Sequence, residues 1–453
     1  MTAVPADSGP IAGADVRSPD RVPVAMYGPE FAANPAHFYE KLRQYGPVAP
    51  VELAPGVPAM LVVGYEAALE VMRSPETFPK DPRRWQATVP SDCPVLPMMG
   101  YRPIASRVDG AELRRYRSVI VDAFSAVDLV SFRAYLEHTA DELVGRMAPN
   151  GWADLIAEYV MAMLFRAVTY LFGCSTDSAV RLVKACTALT DAGQDDAEKA
   201  NQEFTTCLLE LAVEKRARPG NDVTSRMVAH SAMLTDEEMV HQLAVLVFTT
   251  LEPERVVIGN TLALLLSDER FAGSLSGGSL PVEDAIDEVL WTDSGCDIGI
   301  SYPRQDLDFH GARLPADQPV VISFAAANND PSLPRDHSGN RAHITWGAGP
   351  HACPVPVLAR LIASVAIERL LDGLPDMRLA IPANQLTRRV GPFYHTLTAI
   401  PVQFPPVPRP SVRPPKRPGY QDENSSIPPT VTTTTRHRTR GWRNFAARWW
   451  DGQ

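Results

Sequence analysis

The 453-residue chain has few of the features that would place it outside the cell or across a membrane. Its six cysteines (93, 174, 186, 207, 296 and 353) are scattered, without a CxxC pair or a regular spacing. That argues against a disulfide framework and a four-cysteine zinc site, and fits free thiols in a reducing cytoplasm. The opening stretch MTAVPADSGPIAGADVRSPD does not have the charged-then-apolar order of a secretion signal. No uninterrupted apolar run approaches the ~20 residues that a spanning helix needs. Positive charge is also in short supply: 43 Lys and Arg face 53 Asp and Glu, for a net charge of −10. Nothing in that balance points to nucleic-acid binding by the bulk of the chain.

What is present is enough apolar material for a large core, with 45% hydrophobic and 21% charged residues. Residues 1–24 read as a flexible leader. NPAHFYEKLRQYG reads as a short helix, and VAPVELAPGVPAMLVVG as two strands around a Pro-Gly turn. From about 65 to 275 the pattern is mainly helical. EDAIDEVLW continues it, and LDFHGARLPADQPVVISFAAA reads as strands joined by turns. The expected class is mainly α with a minor, interwoven β portion in one domain over 25–405. Beyond residue 400 lie ten of the 42 prolines, followed by SSIPPTVTTTTRHRTR, which has almost nothing apolar to bury. Residues 406–453 are therefore expected to form a disordered tail. Its end, GWRNFAARWWDGQ, would place Trp442, Phe445 and Trp449 on one helical face beside several arginines. That pattern suits an anionic membrane surface or a protein partner, against the plainer reading of a floppy tail.

The most informative segment is ITWGAGPHACPVPVLAR, residues 344–360. Gly347 and Gly349 permit tight backbone paths. From Leu358 the sequence reads as a helix closed by Gly373, so Cys353 stands at a helix entrance. There the peptide dipoles favour the thiolate, which suits a nucleophile, a redox centre or a metal ligand. A nucleophile needs a base and an orienting group, and the loop offers only His351.

The order W-G-A-G-P-H-A-C followed by L-A-R resembles the haem-binding loop of the cytochrome P-450 superfamily, the haem-thiolate monooxygenases. The likeness runs over residues 25–405 in the family's order, through PRRW at 82–85, DGAELRRYR at 109–117, VVIGN at 256–260, DEVL at 287–290 and LPADQPVVISFAAANNDP at 314–331. The resemblance implies the family's single triangular helical domain with small sheets, and haem b (iron protoporphyrin IX) as cofactor. Cys353 would be the axial thiolate and sole metal ligand, in a loop formed by Trp346, Gly347 and Gly349. His351 and Arg117 would reach the haem propionates.

Several positions depart from that pattern. Val355 replaces the usual glycine and is flanked by Pro354 and Pro356, which removes N–H donors near the sulfur. On the distal helix the oxygen-activating turn reads Thr249-Thr250-Leu251-Glu252-Pro253-Glu254. The acid remains as Glu252, Pro253 replaces the proton-delivering hydroxyl and would fix a kink, and Thr249 or Thr250 offers a substitute. The plainer reading puts Glu252 and Glu254 on a wet helix face. In the E-x-x-R pair Trp291 replaces the arginine, so Glu288 is expected to pair with Arg335 or Arg341 or to face solvent. Ser301 and Leu113 stand where a propionate-binding arginine and histidine are usual. The likeness extends to an actinobacterial subgroup in which that arginine is replaced, sometimes by tryptophan, and whose members tend to be encoded beside small-GTPase regulatory modules.

The expected function is monooxygenation of a small apolar organic substrate by a cytoplasmic enzyme, with electrons from a ferredoxin and its reductase. Glu252, Thr249 and Thr250 are the candidate catalytic residues. The alternative is a haem-binding redox sensor or a subunit of a regulatory complex, with weak or no activity. A haem-free interaction scaffold is a third reading.

Overall fold

A computed structural model describes residues 23–191, 194–268, 282–293, 299–337, 339–389 and 396–407. Nearly all of the leader, Cys296 and the tail with Trp442, Phe445 and Trp449 lie outside these residues, and so do the expectations placed on them.

The apolar runs on either side of Pro55 and Gly56 become β2 (Val48–Ala54) and β3 (Val57–Val62), antiparallel to each other. Gly56 sits at φ +76°, which a side chain would resist. β1 (Val24–Ala25) lies parallel to β2 on the outside. On the other side β3 pairs in parallel with β8 (Val320–Ile322), which is antiparallel to β5 (Gly299–Ser301). The resulting order β1-β2-β3-β8-β5 brings residues 24 and 301 into one sheet. β4 (Trp152–Asp154), β10 (Pro401–Gln403) and β9 (Arg378–Leu379) form a three-stranded sheet, and β6 (Leu307–Phe309) with β7 (Ala312–Leu314) a hairpin.

Helices make up most of the rest. The longest, Asp236–Ser267, starts with a capping box in which Thr235 and Glu238 satisfy each other's backbone N–H. Glu238 also anchors its neighbour, the helix Gly110–Ser125, through a bidentate ion pair with Arg115 (2.6 and 2.9 Å) and the Tyr116 hydroxyl (2.8 Å). The long helix is buried on almost every side, from Leu243 and Val247 to Ile258 and Leu262, and so forms the centre of the molecule. Pro253 lies inside it without ending it: its missing N–H leaves the Thr249 carbonyl without that donor, and the helix continues for fourteen residues to Ser267.

Candidate functional site

Cys353 lies just before the helix Pro356–Gly373, which begins two residues earlier than the apolar periodicity alone suggests. Proline at the first turn explains the difference, because its fixed φ suits that position and its missing N–H would be unpaired anyway. The loop is closed by backbone bonds: Gly347 N–H donates to Ile344 (2.8 Å) and Cys353 N–H to Trp346 (2.7 Å). Gly347 and Gly349 take φ +70° and +66°. A Cβ on Gly349 would lie 2.4 Å from the Met72 carbonyl, so the loop is pressed onto the end of the helix Tyr65–Arg73 as only glycine allows.

The surroundings of the thiol pull it in two directions. Burial pushes Cys353 above its ordinary value, against the pull of the Val355 N–H and the Arg117 charge, while Glu254 adds to the rise. Desolvation of the thiol thus works against the helix-entrance dipoles that favour the thiolate. Val355 nonetheless keeps one N–H directed at the sulfur despite its proline neighbours.

Across from the loop, the long helix carries two buried acids, and the wet-face reading of both is overturned. Glu252 lies 3.4 Å from Arg255 and 3.4 Å from Arg389, so its charge is compensated by a residue 137 positions away. Glu254 is buried, its Oε2 has no hydrogen-bond partner among the described residues, and desolvation pushes its carboxyl up to about 8. The hydroxyls of Thr249 and Thr250 both donate back to the Leu246 carbonyl, at 3.2 and 2.8 Å. Glu254 is the residue that sequence reasoning passed over. Its only sequence signal is a carboxylate beside Pro253 in an otherwise apolar helix.

The basic groups converge around one acid. His351 Nε2 sits 3.2 Å from Asp109 Oδ1, while Asp109 Oδ2 accepts the backbone N–H of Lys80 and Asp81 (2.7 and 3.2 Å). The Lys80 ammonium is buried and donates to Ser301 Oγ at 2.9 Å. Arg117 is half-buried, within electrostatic reach of Cys353, and makes no ion pair among the described residues. Leu113 is buried in the core.

Behind the loop, the expected brace exists in a shifted form. Arg341 binds Asp287 (2.9 Å) and Glu283 (3.5 Å), and Arg360 of the L-A-R sequence binds the same two acids. Arg341 therefore takes the acids one position and one turn before Glu288. Trp291 is buried where the arginine was expected, stacks on His337 at 4.2 Å, and donates its indole N–H to Asn340 (2.7 Å). Arg335 is exposed.

These residues fit haem b. A porphyrin iron needs one protein thiolate here, and among the described residues no cluster of three or more His, Cys, Asp or Glu competes as a metal site. Its two carboxylates need cations or hydrogen-bond donors, and the surroundings offer Lys80, Arg117 and the His351 ring, the last beside Asp109.

No protein-family model matches the chain. Individual relatives do. The chain is 26% identical over 404 residues to the cytochrome P450 monooxygenase PikC of Streptomyces venezuelae, covering 85% of this chain and 95% of that protein. It is 28% identical over 372 residues to the mycinamicin IV hydroxylase/epoxidase of Micromonospora griseorubida, covering 77% and 90%. Among solved structures, CYP154C4 of Streptomyces sp. ATCC 11861 superposes with a TM-score of 0.77 at 26% identity, over 85% of this chain and 98% of that one. The ordered motifs, the thiol loop and these likenesses agree: along most of its length the chain is similar to cytochrome P450 monooxygenases, in sequence and in fold.

Proposed function

We propose that the chain is a haem-thiolate monooxygenase that places one oxygen atom of dioxygen into an apolar organic substrate, with electrons supplied by a ferredoxin and its reductase. The observation that carries this reading is Cys353, held between the Trp346 carbonyl and the Val355 N–H and facing a long helix with two buried acids. Relatives named as a mycinamicin IV hydroxylase/epoxidase and a vitamin D(3) 25-hydroxylase support it. They do not favour the sensor reading.

When bound, haem supplies activation of dioxygen, favoured by the electron density of a thiolate ligand. The chain's own residues supply position and protons. Cys353 would hold the iron, with the Val355 N–H limiting how electron-rich the sulfur becomes. Trp346, Gly347 and Gly349 fix the loop that presents it. Arg117 and His351 would meet the carboxylate side arms, His351 through a ring held by Asp109.

Proton supply falls to the long helix. Pro253 has no hydroxyl, and the Thr249 and Thr250 hydroxyls are turned back onto Leu246. Glu252 lies between Arg255 and Arg389, 3.4 Å from each, and its Oε1 is engaged by both. Glu254 holds its proton at neutral pH, because burial raises its carboxyl to about 8. Its free Oε2 makes it the group best suited to give that proton up. With isotopically labelled dioxygen, ferredoxin, reductase and a set of apolar candidate substrates, product carrying one labelled oxygen supports the reading; electron consumption without labelled product from any of them contradicts it. Pro253→Thr should raise the fraction of electrons recovered in product. Glu254→Gln should lower the rate of product formation by about 10²-fold or more, the range for loss of one general acid.

A further inference from the structure

Among the described residues Lys80 is a buried cation near the thiol loop with no acid partner. The residue keeps only 8% of its exposure to solvent. Its Nζ donates to Ser301 Oγ at 2.9 Å on β5, and no carboxylate lies within ion-pair distance among the described residues. The nearest acid, Asp109, has both oxygens occupied: Oδ1 against His351, and Oδ2 by the backbone N–H groups of Lys80 and Asp81. Arg107 adds a second positive charge close by. Burial and that neighbour lower the ammonium to about 8, so it still carries its charge at neutral pH. A buried ammonium held by one neutral hydroxyl is unfavourable unless an anion joins it. Asp109 couples this cation to the thiol loop, because the same carboxylate holds the Lys80 backbone and the ring of His351.

We propose that Lys80, seated on Ser301, binds a propionate carboxylate of haem and supplies the positive charge that Ser301 itself cannot. This rests on the haem reading above. Serine at 301 leaves room for the reach of a lysine from the segment between β3 and the helix Arg83–Gln86. The charge thus arrives from residue 80 rather than from the strand.

The test compares dissociation of haem, and of haem dimethyl ester whose carboxylates are masked, from the full-length protein to apomyoglobin. Wild type should release the diester about tenfold faster than haem, in keeping with loss of a charge-assisted hydrogen bond. Lys80→Met should release haem about tenfold faster than wild type and distinguish the two ligands less than wild type does, the remaining difference belonging to Arg117 and His351. It should also leave the thermal unfolding of the haem-free protein unchanged or raised, since an unpaired buried ammonium has gone; a merely structural lysine would lower it. The double variant Lys80→Met/Ser301→Arg should recover slow haem release. Haem release from Lys80→Met at the wild-type rate, or equal release of both ligands from wild type, overturns the proposal. Failure of the double variant to regain haem also counts against it. If wild type binds neither ligand, it is the haem reading that fails.

Discussion

Glu254 shows how much one side chain's surroundings can set. Its carboxyl is ordinary in water, near 4.5, and is raised to about 8 by burial alone. A carboxyl raised by folding contributes stability that is fully present below about pH 4.5 and is lost as pH rises towards 8. The slope is about 1.4 kcal/mol per pH unit for one proton. Thermal unfolding of the haem-free protein followed across that window should therefore show wild type falling steadily relative to Glu254→Gln, by a few kcal/mol in total. Parallel curves would show that the carboxyl is already ionised in the folded state. Nothing in sequence periodicity announces this residue. The helix is buried all round, so the usual separation of wet and dry faces disappears, and a carboxylate that looks solvated lies in the core. Cys353 is the reverse case. Its place in the loop was legible from two glycines, a histidine and the L-A-R that follows. The balance between burial and helix dipole acting on its thiol was not.

At the scale of elements, the brace behind the loop is a network rather than a pair. The helix Val282–Thr292 presents Glu283 and Asp287 one turn apart, and Arg341 and Arg360 reach both. Ser364 adds a hydrogen bond to Glu283. Motif spacing points to Glu288 and fails by one residue, because Trp291 fills the core against His337 and His343 and leaves no place there for a guanidinium. Arg360→Met should cost about 2–4 kcal/mol in chemical denaturation, since it removes one of the two cations from a nearly buried carboxylate, Asp287. Trp291→Ala should cost about 3–5 kcal/mol through the cavity it leaves. Values under 0.5 kcal/mol for both would mean that this corner of the fold carries no load. The strands were only partly legible. The β2–β3 hairpin follows from its Pro-Gly turn, whereas β5 and its Ser301 are fixed by pairing with β8, a partner that short apolar stretches do not specify.

For the whole molecule, the class was legible because several weak motifs occur in a fixed order along nearly 400 residues. What was not legible is the meeting of distant segments: Arg389 with Glu252, Lys80 with Ser301, Asp109 with His351. Each of these contacts joins segments more than a hundred residues apart, and so depends on the closed fold. Among the described residues no helix is long and apolar enough to cross a membrane. All of these contacts matter to function only if the Cys353 sulfur binds haem iron. The absorption spectrum of the reduced protein under carbon monoxide tests that bond directly. The account predicts the red-shifted Soret band of thiolate-ligated haem in wild type and its loss in Cys353→Ala. A colourless protein after haem supplementation, or the same band in Cys353→Ala, would contradict it.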